Sequence, residues 1–246
     1  MNPLQIALQF LTRLPVSTAD YNDHDVKTSI YWYGCVGLII GALLWAAHSF
    51  LYWIAPQLSP GISAAVILCL WVVITGALHL DGLADSADAW LGGKNVEQTL
   101  QIMKDPRSGP AGVTSVVLVL LLKFACLQSL VAESPCLLLL APSLSRGLVP
   151  ILFLHTPYVR EAGLASAFKE GLSESKSYLQ AALLALLWLF LLGAAALPAL
   201  LLVGLVYWAL RHLMLKRIGG TTGDTAGAAV EILEATALFA ISLALS

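Results

Sequence analysis

Seven apolar stretches constrain this chain more than anything else in it. They cover about 30–54, 61–80, 110–132, 136–155, 179–196, 198–215 and 225–245. Each is near the ~20 residues that a helix needs to cross a bilayer's hydrocarbon core. The composition agrees: 59% of the residues are hydrophobic and 11% charged, where a soluble domain carries about 25% charged residues. The expected architecture is all-α, a polytopic transmembrane bundle of about seven spans (six to eight), and a single integral membrane domain over 1–246. The fifth and sixth spans are divided only by Gly193 to Pro198, which predicts a tight hairpin. Met1 to Pro15 mixes Leu4, Ile6, Leu8, Phe10 and Leu11 with Gln5, Gln9, Thr12 and Arg13. It is too short to span and suits an interfacial helix. With a polar turn over Asp20 to Asp25 it makes up the segment 1–29.

Lys and Arg orient the bundle. Taken alternately, one set of loops holds Arg13, Lys27, Lys94, Lys104, Arg107, Arg160, Lys169, Lys176, Arg211, Lys216 and Arg217; the other holds none. That bias places the N-terminus and the loops 81–109, 156–178 and 211–224 in the cytoplasm. A net charge of −2 argues against a nucleic-acid partner. Cys35, Cys69, Cys126 and Cys136 lie in apolar runs with no CxxC pairing and read as small core hydrophobes. Met1 to Val16 lacks the basic start and unbroken apolar core of a cleavable signal peptide.

Against this background His79-Leu80-Asp81-Gly82-Leu83-Ala84-Asp85-Ser86-Ala87-Asp88 stands out. Asp81, Asp85 and Asp88, at i, i+4 and i+7, fall within an arc of roughly 60° on one helix face. Three like charges on one stripe repel, and a hard divalent cation such as Mg²⁺ or Mn²⁺ relieves the repulsion. The bland reading is an acidic, solvated helix end. A second motif, Met103-Lys104-Asp105-Pro106-Arg107-Ser108-Gly109, forms a tight loop in which Asp105 could join a metal site while Lys104 and Arg107 hold phosphate oxygens. It could equally be an ordinary loop with positive-inside residues. A third, Gly219-Gly220-Thr221-Thr222-Gly223-Asp224-Thr225-Ala226-Gly227, offers backbone N–H groups to an anion at a helix start through Gly220, Thr221, Thr222 and Gly223. Asp224 would cap that helix or bind metal, and Glu231 follows two turns deeper on the same face. A plain inter-helix turn is the alternative.

Arg146, near the middle of the fourth span, needs a carboxylate, a watery cavity or a ligand. Lys123 has the same problem but could snorkel along its stem. His79 reads more readily as a satisfied interfacial histidine than as a ligand. No Ser-His-Asp or Cys-His constellation can be assembled on the cytoplasmic side. Carboxylates, a few cations and Gly-rich loops at a membrane surface suit metal-assisted phosphoryl transfer.

Together with Ser145-Arg146-Gly147, these motifs resemble the adenosylcobinamide-GDP ribazoletransferase (cobalamin-5′-phosphate synthase) family, from Arg13-Leu14-Pro15 to Glu234. The resemblance implies a multi-pass enzyme of the bacterial inner membrane, with its site facing the cytoplasm. It would join adenosylcobinamide-GDP to α-ribazole, or α-ribazole 5′-phosphate, releasing GMP with Mg²⁺ in the last assembly step of cobalamin. It leaves room for a homo-oligomer and for other cobalamin-assembly enzymes as partners. Asp81, Asp85, Asp88, Asp105, Asp224 and Glu231 become metal candidates. Lys104, Arg107, Arg146 and the loop 220–223 become substrate candidates. Asp85 or Asp88 would serve as base, with Arg107 or Arg146 neutralising the diphosphate. A large corrinoid predicts a wide groove open to the cytoplasm. The reaction resembles that of CDP-alcohol phosphotransferases, but Ala77 stands where a further Asp would be sought, so individual roles do not transfer. The rival class is a cation transporter with Asp81, Asp85, Asp88, Glu231 and Arg146 as a relay. Against it, the acidic groups crowd one end, with only Glu133 toward the other. A structural scaffold for other biosynthetic enzymes is a third reading.

Overall fold

The computed structural model describes residues 2–16, 23–160 and 172–245. Residues 20–22 of the polar turn, the middle of the 156–178 loop and Lys169 lie outside them. Among the described residues every regular element is helical: α1 (Pro3–Leu11), α2 (Asp23–Ser29), α3 (Tyr33–Ile54), α4 (Pro60–Thr75), α5 (Leu78–Gly92), α6 (Val96–Ile102), α7 (Pro110–Glu133), α8 (Leu140–Gly147), α9 (Val149–His155), α10 (Glu174–Leu192), α11 (Ala196–Ile218) and α12 (Gly223–Leu245).

Local chemistry sets the ends. Ser59 caps α4 ahead of Pro60, Ser173 caps α10, and Pro110 opens α7 with a ring already set for the first turn. Gly219, at φ 72°, stops α11 directly after Lys216 and Arg217, where basic side chains face the helix's negative end. On α1, Asn2 and Gln5 cap one another's backbone, and Ile6, Ala7 and Leu11 turn into the bundle. The expected interfacial helix is therefore docked on protein. In the core, α3 lies against the segment from the 3₁₀ turn Pro135–Leu139 into α8. A Cβ on Gly37 or Gly41 would strike the backbone of Pro142 or Leu138, so the helices meet backbone to backbone, as small residues permit within a bilayer.

Five helical runs are long and apolar enough to cross a membrane, and a sixth is added if α4 and α5 count together as one broken span. One of the five, Glu174–Ile218, is 45 residues long. It turns back on itself at Gly193, because Tyr178 near its start and Arg211 near its end both bond His155. This is the hairpin expected at Gly193 to Pro198. The 61–80 span is corrected. Helix α4 stops at Thr75, and the chain bends by 86° into α5. Gly76 (φ 61°) and Ala77 (φ 56°) take left-handed conformations at the bend, at a cost of about 1–2 kcal/mol for the alanine. The backbone N–H of Arg13 donates to Ile74 O at 2.7 Å, and the Arg13 side chain lies where any Cβ on residue 76 would fall.

After the bend, α5 lies across the ends of three other helices. Asp88 accepts from Gly109 and Gly112 at the start of α7, Gly82 packs on the backbone of Asp224 at the start of α12, and Arg217 near the end of α11 donates to Trp90 O and Gly93 O. The presumed loops 81–109 and 211–224 are thus largely helical. Arg13, Arg160, Lys176, Arg211 and Arg217 share this basic end with α5. The opposite end, around His48, Pro56, Ser63 and Ala132, holds no Lys or Arg among the residues that line its cleft.

The basic end is expected to face the cytoplasm. With the native cysteines replaced, single cysteines at Asn95 and Ser173 should react with an impermeant maleimide only after cells are opened, and one at Ser59 without opening. Labelling of Asn95 in intact cells would reverse the orientation.

Candidate active site

Two polar assemblies occupy the junction of α5, α8 and α12, and they divide the candidate residues between them. The inner one is an ion network. Lys123 donates to Glu231 at 2.6 Å and also to Glu234, and Arg146 donates to Glu234. Arg146 also gives Nη1–H to Pro142 O at 3.1 Å and points Nη2 at His79 Nδ1, 3.4 Å away. The Lys123 ammonium stands over the Trp71 ring, 4.8 Å from its centre. All four charged side chains are buried. At 1.5 Å per residue, Glu231 and Glu234 lie roughly 12 and 16 Å along α12 from Gly223. Two cations and two carboxylates cancel, which is how charge is tolerated at that depth.

Lys123 does not snorkel: it is buried, with Glu231 and Glu234 as its partners. Arg146 is wholly buried and has, in Glu234, the carboxylate that a charge at that depth was expected to need.

The outer assembly is a cavity of about 370 Å³ at the basic end. Asp81, His79, Arg160 and Asp224 supply its charged and polar lining, and Gly82 and Gly223 also line it. Phe10, Leu11, Tyr33, Phe153 and Tyr158 are among its apolar and aromatic lining. Arg160 Nη2 meets Asp224 Oδ2 at 2.6 Å. Asp85 follows one turn after Asp81. Burial, and then the Asp81, Asp224 and Asp88 carboxylates, push its carboxyl up to about 6, with Arg160 opposing.

The aspartate stripe is divided by function. Asp88 uses both oxygens on the backbone, accepting from Gly109 N–H at 2.6 Å and Gly112 N–H at 2.9 Å, and so pins α7 to α5. A Cβ on Gly112 would lie 2.5 Å from the Asp88 carboxylate and 2.8 Å from Ala84 O. Gly112→Ala should therefore push α7 off α5 and lower activity and thermal stability together. Unchanged melting would show that the contact gives way.

The second motif stays outside the cavity. Arg107 is 86% exposed and folds back on Asp105 at 2.7 Å, which holds that carboxyl down at about 2; Lys104 is exposed beside them. The glycine–threonine loop has protein partners for its threonine donors. Thr221 N–H goes to Pro157 O at 2.8 Å, Thr222 N–H to Thr225 Oγ1, and Thr225 N–H back to Thr222 Oγ1, a reciprocal cap for α12. A Cβ on Gly220 would run into Pro157 O. Of the loop and its flank, Gly223 and Asp224 line the cavity, while Thr221 and Thr222 are fully buried.

Arg160 is the site residue that sequence reasoning overlooked. It follows Pro157-Tyr158-Val159 just beyond α9, and its positive sign in a loop was the one signal available. Among the described residues, no group of three or more His, Cys, Asp or Glu stands in position to hold a metal ion. Asp81, Asp85 and Asp224 act on one another as like charges, each carboxylate raising the cost of ionising Asp85.

The cobalamin-5-phosphate synthase family model matches residues 3–242. A chain from Stutzerimonas stutzeri (strain A1501), named adenosylcobinamide-GDP ribazoletransferase, is 50% identical over 246 residues, 99% of this chain and 98% of its own. Chains of the same name from Pseudomonas putida and Pseudomonas fluorescens are 49% and 47% identical, covering 100% and 99% of this chain and the whole of their own. No solved structure matches. With a family match over nearly its whole length, and relatives this similar along all of it, the chain belongs to the cobalamin-5-phosphate synthase family.

Proposed function

We propose that the chain transfers the cobinamide phosphate of adenosylcobinamide-GDP to α-ribazole, or to its 5′-phosphate, releasing GMP at the cavity on the basic end of the bundle. In a chain of this family, the observation that carries the reading is a cavity in which Asp81 and Asp224 face Arg160. At about 370 Å³ it is at the small end for ligand sites. Its size suits the acceptor nucleoside rather than the corrinoid macrocycle. The flat, apolar benzimidazole of α-ribazole would lie against Phe10, Tyr33 and Phe153, leaving its ribose toward the carboxylates.

In the transfer, the acceptor's 3′-oxygen bonds to the phosphorus nearest the cobinamide. The bond from that phosphorus to the bridging oxygen breaks, and GMP departs with the electron pair. Asp85 takes the hydroxyl proton. It suits that task better than Asp88, whose oxygens are occupied by Gly109 and Gly112. Arg160 lies against the diphosphate as negative charge builds on the leaving oxygen. The site faces the cytoplasm of a bacterial inner membrane by the distribution of Lys and Arg.

Purified protein given both substrates and Mg²⁺ should release one GMP per cobalamin product formed. GMP appearing at the same rate without α-ribazole would mean hydrolysis and sink the transfer reading. The reaction should also show an acid limb. A base is active when ionised, so kcat should rise with pH through about 6, above the ordinary carboxylate value. A limb at the ordinary carboxylate value would remove Asp85 from the role.

A further inference from the structure

His79 belongs to both polar assemblies. It stands in the first turn of α5, just beyond the bend at Gly76 and Ala77, and lines the cavity with only 5% of its surface exposed. From the ion network, Arg146 Nη2 approaches its Nδ1 to 3.4 Å. A guanidinium carries N–H groups and no lone pair to offer, so in that contact Nδ1 can only accept. The proton of the neutral ring is therefore on Nε2. Arg146 is itself fixed, its Nη1 held by Pro142 O and Glu234.

The two nitrogens of an imidazole lie on opposite edges of the ring. With Nδ1 turned to the ion network, Nε2 points away from it. That edge meets a part of α12 that also lines the cavity: a Cβ on Gly227 would lie 3.7 Å from His79 Cδ2, the atom bonded to Nε2. Gly227 brings no side chain there to cover the N–H. Among the described residues no protein group accepts it. The site thus presents a neutral donor with a buried guanidinium behind it, beside carboxylates that can only accept.

We propose that His79 binds substrate directly, donating Nε2–H to a non-bridging oxygen of the phosphoryl group being transferred. An anionic oxygen is the acceptor that a donor backed by a cation suits best. Donation to the attacking hydroxyl would instead make it a poorer nucleophile. No proton changes hands at His79, because Nδ1 is engaged by Arg146 and Nε2 already carries the proton. The base remains a carboxylate. This rests on the ribazoletransferase reading for the identity of the phosphoryl group. It gives the ion network a part in the reaction besides stability, since Arg146, braced by Glu234, fixes which nitrogen of His79 faces the substrate with a proton.

Two amides separate this role from a structural one, because each keeps the place of one ring nitrogen. Asparagine reaches about as far as Nδ1, and its oxygen still accepts from Arg146. Glutamine reaches about as far as Nε2, and its N–H still donates into the cavity. In the full-length protein, His79→Asn should melt near wild type yet lower kcat by about 10²-fold, the usual loss of one such donor, with KM for α-ribazole little changed. His79→Gln should melt lower, having lost the acceptor for Arg146, yet keep kcat within about tenfold of wild type. A structural role predicts instead that activity follows melting, with the asparagine variant the better enzyme. That order overturns the proposal, as does equal kcat in the two folded variants. So does failure of His79→Asn to fold, or a loss confined to KM for α-ribazole, which would put the contact on the acceptor. If wild type turns over while one of these results appears, the role of His79 alone falls. If wild type releases no GMP with both substrates and Mg²⁺, the transferase reading falls and this role with it.

Discussion

Arg146→Leu is expected to destabilise the folded bundle by about 3–5 kcal/mol, and adding Glu234→Gln should recover much of that loss. The arginine is fully buried, and its removal leaves Glu231 and Glu234 sharing the one ammonium of Lys123 at a depth where water cannot help. Glu234→Gln restores neutrality and leaves the Lys123–Glu231 pair at its 2.6 Å separation. Glu231→Gln also restores neutrality but leaves the Glu234 oxygen that faced Arg146 without its donor, so it should rescue less. Unfolding of the four variants in detergent, as a double-mutant cycle, checks the order. Equal rescue by both glutamines would mean that net charge alone matters. No rescue by either would mean that the arginine acts through packing.

Asp85→Asn should lower kcat by about 10²–10⁴-fold, the usual contribution of a positioned base, while the protein stays folded. The change is isosteric on α5, one turn beyond the cavity-lining Asp81, and it removes one of the carboxylates that repel one another along α5 and at the start of α12. Melting in metal-free buffer should therefore stay level or rise. Asp88→Asn is the informative contrast. It should lower melting as well as activity, because an amide can present only one acceptor oxygen to the N–H groups of Gly109 and Gly112. Near-normal turnover in Asp85→Asn would mean that the proton goes elsewhere.

Much of the architecture follows from hydropathy. The apolar runs at 110–132 and 225–245 become α7 and α12 with ends shifted by a residue or two. The hairpin at Gly193 is legible because glycine and proline punctuate an otherwise unbroken apolar run. The same signals are silent at Gly76-Ala77. A lone glycine in an apolar run does not announce an 86° turn, and the alanine beside it is an unexpected left-handed residue. Sequence reasoning also ends a helix where polarity rises. Helix α11 instead continues through Lys216 and Arg217 to Gly219, and the aspartate stripe is carried on a helix of its own.

The candidate site was legible as chemistry and less so as partnership. Asp81, Asp85 and Asp224 come together as carboxylates at one end of the bundle. The pairing of Arg146 with Glu234 spans 88 residues, and that of Lys123 with Glu234 spans 111, so no local periodicity reveals either. Glu231 drew attention for its spacing from Asp224, while Glu234, one turn further in, is the carboxylate shared by both cations. Arg160 could be read only as one more positive charge in a loop, since the backbone bridge from Tyr158 to Thr221 that brings it over the cavity exists only in three dimensions.

The central claim is that the acidic cavity at the basic end carries out ribazole transfer, and its most direct test uses sealed liposomes of known orientation. With the basic end outward, adenosylcobinamide-GDP, α-ribazole and Mg²⁺ supplied outside should yield GMP in step with cobalamin product, and no cation or proton flux should accompany it. With the orientation reversed, the same additions should yield none. Cation or proton flux with no nucleotide present, and no GMP when both substrates are supplied, would contradict the account and favour a transporter.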